Sequence, residues 1–523
     1  MLQNFSFFLG LVFAIVLLIM LANKIKVAYP VLLVIAGLAI GFIPGVPHLH
    51  IAPELIFVIF LPPLLYEAAW LISWKELWRW RRIIGSFAFV VVFLTALSVA
   101  FVANYFIPGF SLALGFLLGG IVSPPDAVSA GAILKFVKVP RTLTSILEGE
   151  SLLNDASSLI IFRFALIAVA TGQFIWLDAT LNFAWMIAGG IGIGLLIGLV
   201  FKKCHKYLPT DANMDIVLSI IAPYFMYLVA EEVHSSGVLS VVCGGLFLSH
   251  HRHSFLSSTS RIRGFNVWES LSFVLNGLVF VLIGLALPEI VDGLGGVGVS
   301  EAIGYGLLVT AVLIVGRILA AYGAVLATYI ARHFITVADA SPGYKGPLLL
   351  GWSGMRGVVS LAAALSIPVT LEDGSAFPQR NLILFITFVV IFTTLIVQGL
   401  TLPVLIRKLN LKPTIEKVPE ETLHSEINLQ LAEIGLKNLR EKYTQELEQS
   451  PLLRQMADKW EAGIHLGEEG RMTPEIKGIY VQILDEQRKW LIAENKSQQL
   501  LDEAIIRKHL HRIDMEEERL KLL

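Results

Sequence analysis

The chain has 523 residues, of which 55% are hydrophobic and only 15% charged, with a formal net charge of −1 and a mean hydropathy of +0.73. A soluble domain carries about 25% charged residues, so these values exclude an ordinary soluble protein and imply a polytopic membrane protein. The net charge argues neither for nor against nucleic acid; the partners expected are membrane lipids, not nucleic acid. Two isolated cysteines, Cys204 and Cys243, are too few for a disulfide framework and lack metal-ligand spacing, so they read as packing residues.

A helix needs about 20 apolar residues to span a bilayer. Runs that meet or approach this demand lie near residues 4–22, 28–45, 52–72, 83–106, 109–134, 145–170, 178–201, 213–233, 237–250, 266–289, 301–331, 346–369 and 381–407. The fold class is therefore all-α and polytopic, with about 13 transmembrane helices, the ninth the shortest. The first run lacks a basic leader and a small-residue cleavage site and is followed by Lys24 and Lys26, so it reads as a retained helix.

Charge alternates between successive connections. One set carries Lys24 and Lys26; Lys75, Arg79, Arg81 and Arg82; Lys135, Lys138 and Arg141; Lys202, Lys203 and Lys206; Arg252, Arg261 and Arg263; Arg332 and Lys345. The other set, at 44–53, 107–109, 171–178, 234–236 and 290–300, has no Lys or Arg, and the last of it, near 370–380, has only Arg380. The positive-inside rule then puts the N-terminus outside and the C-terminus in the cytoplasm, in the plasma (inner) membrane. Within the basic set, Trp74–Arg82 reads as an interfacial helix, with tryptophans at headgroup depth. His250-His-Arg-His253 reads as a solvated turn, with pH sensing or metal binding the rarer alternative.

After a transmembrane domain over 1–410, residues 411–523 become rich in Glu, Lys, Arg, Gln and Leu and contain no spanning run. They predict a helical cytoplasmic domain, with amphipathic helices near 421–447 and 474–523 joined through a Gly-containing turn at 463–470. A regulatory ligand of unknown identity, dimerisation or simple stability would each account for this tail.

Chemistry concentrates in two places inside the apolar part. Leu147-Glu-Gly-Glu-Ser-Leu-Leu-Asn-Asp-Ala156 carries Glu148, Glu150, Asn154 and Asp155, and Gly119-Gly-Ile-Val-Ser-Pro-Pro-Asp126 breaks a helix beside an aspartate. A charge in hydrocarbon costs at least a few kcal/mol, so it is tolerated mainly where it works. Asp126 lies about eight residues, roughly 12 Å, from the inner end of the fifth span, and Asp155 about ten residues, roughly 15 Å, from that of the sixth. Two carboxylates at similar depth on antiparallel helices predict one site that alternately holds a cation and protons. Pro124 and Pro125 remove donors and free carbonyls that must be satisfied, as broken helices do by lining an ion site. Asn154 cannot titrate and orients its neighbour, which predicts one proton per cation and no net charge movement. Glu150 is paired with Arg356, in the interrupted Gly351-Trp-Ser-Gly-Met-Arg-Gly357, as a structural ion pair. Arg317 reads either as a counter-charge near the site or as a partner of Glu67, Glu269 or Glu232. Glu67 is expected at the cytoplasmic funnel or in a structural role, and Asn276 in helix packing.

These residues resemble the electroneutral monovalent cation–proton antiporters, the NhaP-like and NHE-type sodium–proton exchangers. Glu148-Gly-Glu-Ser-Leu-Leu-Asn-Asp155 looks like their signature, supported by Leu61-Pro-Pro-Leu-Leu-Tyr-Glu67, Ser123-Pro-Pro-Asp126, Val229-Ala-Glu-Glu232 with Ser236-Gly237, Gly316-Arg317 and Gly354-Met-Arg-Gly357. The resemblance covers the whole membrane part. It implies inverted repeats, crossed broken helices five and twelve, an ion-binding core and a dimerisation part, a homodimer, and elevator-like alternating access. Carried onto this chain, it makes Asp155 the ion-binding aspartate, Asn154 its amide neighbour, Asp126 the second acid, Ser151 a hydroxyl ligand, and Glu150–Arg356 the stabilising pair. Many relatives have Thr-Asp-Pro where this chain has Pro125-Asp126-Ala127. Ser123, Ser129 or a backbone carbonyl must then replace the threonine hydroxyl, which bears on Na+ against K+. A closing Arg512-Ile-Asp-Met-Glu-Glu-Glu-Arg519 and the tail length resemble bacterial members.

The expectation is a transporter, not an enzyme, driven by ion gradients and without a cofactor; no nucleotide-binding motif is present. Its cargo is Na+ and H+, with Li+ or K+ as further cations and K+/H+ exchange the alternative. A channel would need a filter of repeated backbone carbonyls, which is not apparent. A hydrolase would need Ser151, Asp155 and His234 together, and His234 is predicted near the outer face, more than half a helix length away.

Overall fold

A computed structural model describes the chain apart from Met1, residues 44–52, 135–136, 138, 173–175, 295, 335–342, 372–373, 410–419, 467–473, 498–502 and Leu523. The 44–53 loop, Lys135, Lys138, the composition change after Leu411 and much of the predicted 463–470 turn thus lie outside the described residues. Two compact units result, Met1–Lys412 and Pro413–Leu523. Among the described residues all regular structure is helical, with one isolated bridge between Thr370 and Ala376.

The first unit runs α1 (Leu2–Ile25), α2 (Tyr29–Gly41), α3 (Pro53–Leu71), α4 (Trp74–Gly85), a π-helical turn (Ser86–Val91), α5 (Val92–Phe106), α6 (Leu112–Val122) and α7 (Ala127–Leu134). It continues through α8 (Arg141–Thr171), α9 (Trp176–Tyr207), α10 (Ala212–Glu232), α11 (Gly237–Phe255), α12 (Ser258–Leu285) and α13 (Leu287–Asp292). The last elements are α14 (Val299–Ala331), α15 (Lys345–Trp352), α16 (Val358–Leu365) and α17 (Arg380–Leu409). Among the described residues nine helical stretches are long and apolar enough to cross a membrane. The fifth and twelfth apolar runs are each split, into α6/α7 and α15/α16. This is an all-helical, multi-pass membrane protein.

Two local readings are refined. Trp74–Arg82 begins α4, which Ser73 caps, accepting from the Glu76 N–H, and the helix continues through the π turn into α5. Trp80 and Ile84 are buried and α4 packs on α8, while Trp74 and Trp78 stay exposed. His250–His253 lie in the last turns of α11 rather than in a loop. There the His251 Nδ1 is 2.9 Å from the Phe247 carbonyl and the His250 ring lies tilted 5.7 Å from that of Trp74, and no metal-holding cluster occurs among the described residues.

Packing sorts the first unit into two groups. Helices α4–α8 and α14–α17 pack mainly on one another, as do α1–α3 and α9–α12, while α13 touches both groups. Within the second group α2 and α12 cross so closely that a Cβ on Gly284 would stand 2.3 Å from the Val34 carbonyl oxygen, and one on Gly37 would stand 2.2 Å from that of Val281. Small residues at such crossings let backbones meet where no hydrophobic force drives association.

The second unit comprises α18 (Glu420–Lys442), α19 (Thr444–Gln449), α20 (Pro451–Leu466), α21 (Pro474–Ser497) and α22 (Glu503–Leu522). The expected helix at 421–447 ends earlier, and Pro451–Leu466 is a helix of its own, because Ser450-Pro451 interrupts the run and restarts it. Leu436, Leu439 and Ala457 form a small core with Trp460 and Ile464. The run from 474 to 523 is likewise two helices, linked by Arg488, which donates to Asp514 at 3.0 Å and Glu517 at 2.6 Å.

The α2–α12 crossing is open to test. Gly284→Ala should lower the melting temperature of the purified protein by an amount equivalent to about 1–3 kcal/mol of overpacking. Gly304→Ala, where a new Cβ meets nothing within 4 Å, should leave it unchanged.

Candidate functional site

The site forms where the two interrupted helices meet. In an unbroken helix the Asp126 N–H would bond the Val122 carbonyl, and the Ala127 N–H that of Ser123. Two prolines prevent this. The Asp126 N–H instead donates to the Met355 carbonyl, in the other break, at 2.7 Å, and the Ala127 N–H donates to Ser151 Oγ of α8 at 3.1 Å. The carbonyls left over are taken by Arg356: Nε donates to Val122 at 2.8 Å and a terminal nitrogen to Ser123 at 3.3 Å, while the other donates to Gly354. A fixed positive charge thus sits at the carbonyl end of α6, where helix polarity favours it.

This corrects the expected ion pair. Glu150, 1% exposed, pairs not with Arg356 but with Arg317 of α14, 2% exposed, through two parallel bonds of 2.6 and 2.8 Å. Arg317 Nε also donates to the Leu350 carbonyl of α15 at 3.2 Å, and its guanidinium lies 5.8 Å from the Phe87 ring. The reason is geometric. Arg356 is consumed by backbone carbonyls, and the planar fork of Arg317 meets both oxygens of Glu150. Neither Glu232 nor Glu269 takes this partner.

Asp126 does more than face the site. As the residue before α7 it accepts from the Val128 N–H at 2.9 Å, from the Ser129 N–H at 3.4 Å and from Ser129 Oγ at 2.6 Å. This is an N-cap, and Asp-x-x-Ser before an apolar run is a signal that the sequence offered. Ser129, not Ser123, supplies the hydroxyl beside Asp126; Ser123 Oγ turns back to the Gly119 carbonyl of its own helix. A Cβ on Gly357 would fall 1.9 Å from Asp126 Oδ2, so only glycine admits the carboxylate here.

Asn154 donates from Nδ2 to the Pro125 carbonyl at 3.1 Å, tying α8 to the break, while its buried Oδ1 has no hydrogen-bond partner among the described residues. Asp155 is 8% exposed and within electrostatic reach of Asp126. No hydrogen bond to its carboxylate occurs among the described residues. Glu67, half-buried on α3, and Asp126 both act on Tyr29, at the start of α2. Tyr29 was missed from sequence, since an aromatic at a helix start carries no signal of its own. The structure thus brings Asp126, Asp155, Asn154, Ser151 and Ser129 together, holds Glu150–Arg317 and Arg356 behind them, and turns the Ser123 hydroxyl away. His234 lies in the turn between α10 and α11, in the other helix group.

The buried Glu150–Arg317 pair yields a prediction. Arg317→Ala leaves an uncompensated carboxylate and should cost roughly 3–5 kcal/mol of stability. The double variant Glu150→Gln/Arg317→Gln should be less damaged than Arg317→Ala alone, both read by thermal unfolding in detergent.

The chain is similar to known proteins. Residues 11–408 match the family described as "Sodium/hydrogen exchanger, transmembrane". Among similar proteins, a "Sodium, potassium, lithium and rubidium/H(+) antiporter" of Bacillus pumilus is 35% identical over 72% of this chain, which spans 58% of that protein's length. The "Na(+)/H(+) antiporter ApNhaP" of Aphanothece halophytica is 34% identical over 74% of this chain and 70% of its own. An "Uncharacterized Na(+)/H(+) exchanger" of Mycobacterium bovis is 30% identical over 97% of this chain and 94% of its own, a match that reaches into the tail. In fold, the sodium proton antiporter MjNhaP1 of Methanocaldococcus jannaschii superposes with a TM-score of 0.63 at 18% identity, over 78% of this chain and 99% of that one. Crossed broken helices, the Asn154-Asp155 signature and a match over nearly the whole membrane unit lead to one conclusion: the chain belongs to the sodium/hydrogen exchanger family.

Proposed function

We propose that this protein is an electroneutral antiporter that exchanges Na+ for H+ across the plasma membrane. The observation that carries the reading is Asp155, a buried carboxylate with no hydrogen-bond donor among the described residues, set beside Asp126 and an Asn154 oxygen that likewise has no partner among them. An ionised carboxylate in such surroundings demands a positive partner. A desolvated Na+ provides it, and when Na+ leaves, a proton takes its place. Oxygens of Asp155, Asp126, Asn154 and Ser151 form the ligand set, with Ser129 in place of the absent threonine. Because Asn154 holds no proton, one H+ replaces one Na+ and no net charge moves.

Competition of two ions for one site is enough for coupling, provided that the empty charged site does not cross. The division into two helix groups supports elevator-like movement: α6–α8 and α15–α17 carry the site past α1–α3 and α9–α12. The latter group would form the homodimer contact, with the N-terminus outside and the second unit in the cytoplasm. The driving force is the ion gradient, with no cofactor. K+/H+ exchange by the same site is the second reading, favoured by Pro125 in the threonine position and by the name of the Bacillus pumilus relative.

Proteoliposomes with a trapped pH dye test this. Added Na+ should release the proton gradient whether or not membrane potential is clamped, and Asp155→Asn should abolish the response. Asp126→Asn should lower it at least tenfold. A response to K+ greater than to Na+ would change the substrate, and full activity of Asp155→Asn would remove the site.

A further inference from the structure

The seam between the two helix groups holds an ion pair that the site does not use. Arg163 lies on α8 eight residues beyond Asp155, about 12 Å along the helix. Its guanidinium contacts the Glu231 carboxylate at the end of α10, with 36% and 27% of the two side chains exposed. The other oxygen of Glu231 accepts the Gly237 N–H, the first of α11, at 3.1 Å. Glu231 is therefore fixed by its own helix group and reaches out to the site-bearing one. Gly237 is required for this: a Cβ there would stand 2.8 Å from Glu231 Oε1 and 2.7 Å from the Tyr227 ring. Elsewhere α8 packs chiefly on α4 and α6 and only lightly on α9 and α11, so the pair bridges a thin interface.

We propose that Arg163 and Glu231 are a latch that sets the balance between the two access states. The inference rests on the sliding movement proposed above. With the pair closed, the C-terminal half of α8, the half that the charge pattern assigns to the outside, is drawn against α10 and covers the outer approach to Asp155. When the site-bearing helices slide, the pair separates and both side chains, already partly exposed, pass into water. The cost of separation is thereby kept moderate, unlike that of the fully buried Glu150–Arg317 pair, which stays within one group and does not open. A latch of this kind acts on populations, not on the ion itself. Its removal lowers the fraction of inward-open protein and raises that of outward-open protein, which moves apparent affinity in opposite directions on the two faces.

The test uses the full chain in right-side-out and inverted vesicles. Arg163→Gln and Glu231→Gln, the latter retaining an oxygen for the Gly237 N–H, should each strengthen outside Na+ affinity and weaken inside affinity by about three- to tenfold. The double variant should equal either single one, as partners in one pair require. Unchanged affinities, equal change on both faces, or additive effects would overturn the latch. A second measurement separates it from the sliding movement. Arg163→Cys/Glu231→Cys, in a background with Cys204 and Cys243 replaced by serine, is linked with a reducible bis-methanethiosulfonate. Exchange should stop on linking and return on reduction. Arrest with unchanged affinities in the glutamine variants would overturn the latch but leave the sliding movement. Continued exchange in the linked protein would overturn both.

Discussion

A backbone polar group in hydrocarbon must find a partner within the protein, and the site depends on how this demand is met. Pro124 and Pro125 interrupt α6/α7, and each group this liberates has a specific fate. The Asp126 N–H goes to the opposing break, the Ala127 N–H to Ser151, and the Val122 and Ser123 carbonyls to Arg356. The partners come from two other elements, α8 and the α15/α16 turn. Satisfying the break therefore assembles the site: α8 and the α15/α16 turn are brought to Asp126 by the bonds that the prolines leave open.

Charges in this region divide by what they are free to do. Glu150 with Arg317, and Arg356 with its carbonyls, are saturated; they hold α8, α14, α15 and the break of α6 in place. Asp126 is half engaged, since its carboxylate caps α7. Asp155 accepts nothing from the described residues. That gradient, from saturated to unpartnered, separates the carboxylate suited to exchanging partners from those that cannot let go. The π turn Ser86–Val91 belongs to the same support, because its Ala88 carbonyl takes the Ser157 hydroxyl, two residues past Asp155, and Phe87 lies against Arg317.

Much of this was legible in the chain itself. Membrane class, the apolar segments, the breaks at Pro124-Pro125 and near Gly354, and the intramembrane position of Asp126, Asn154 and Asp155 follow from composition and from the cost of charge in lipid. These are local or additive properties, and local sequence carries them.

Partner choice was not. Glu150 had two buried arginines available, and nothing in spacing says that Arg356 would be spent on carbonyls and Arg317 left for the carboxylate; that depends on how helices 167 residues apart in sequence are set against each other. The same holds for the rotation of Ser123 towards its own helix, for Tyr29 near Asp126 and Glu67, and for Arg163 meeting Glu231 across the seam. Sequence by itself determined which groups need a partner, because burial and proline chemistry act residue by residue. Only the tertiary structure decided which partner each one has, because that is set by the packing of whole helices.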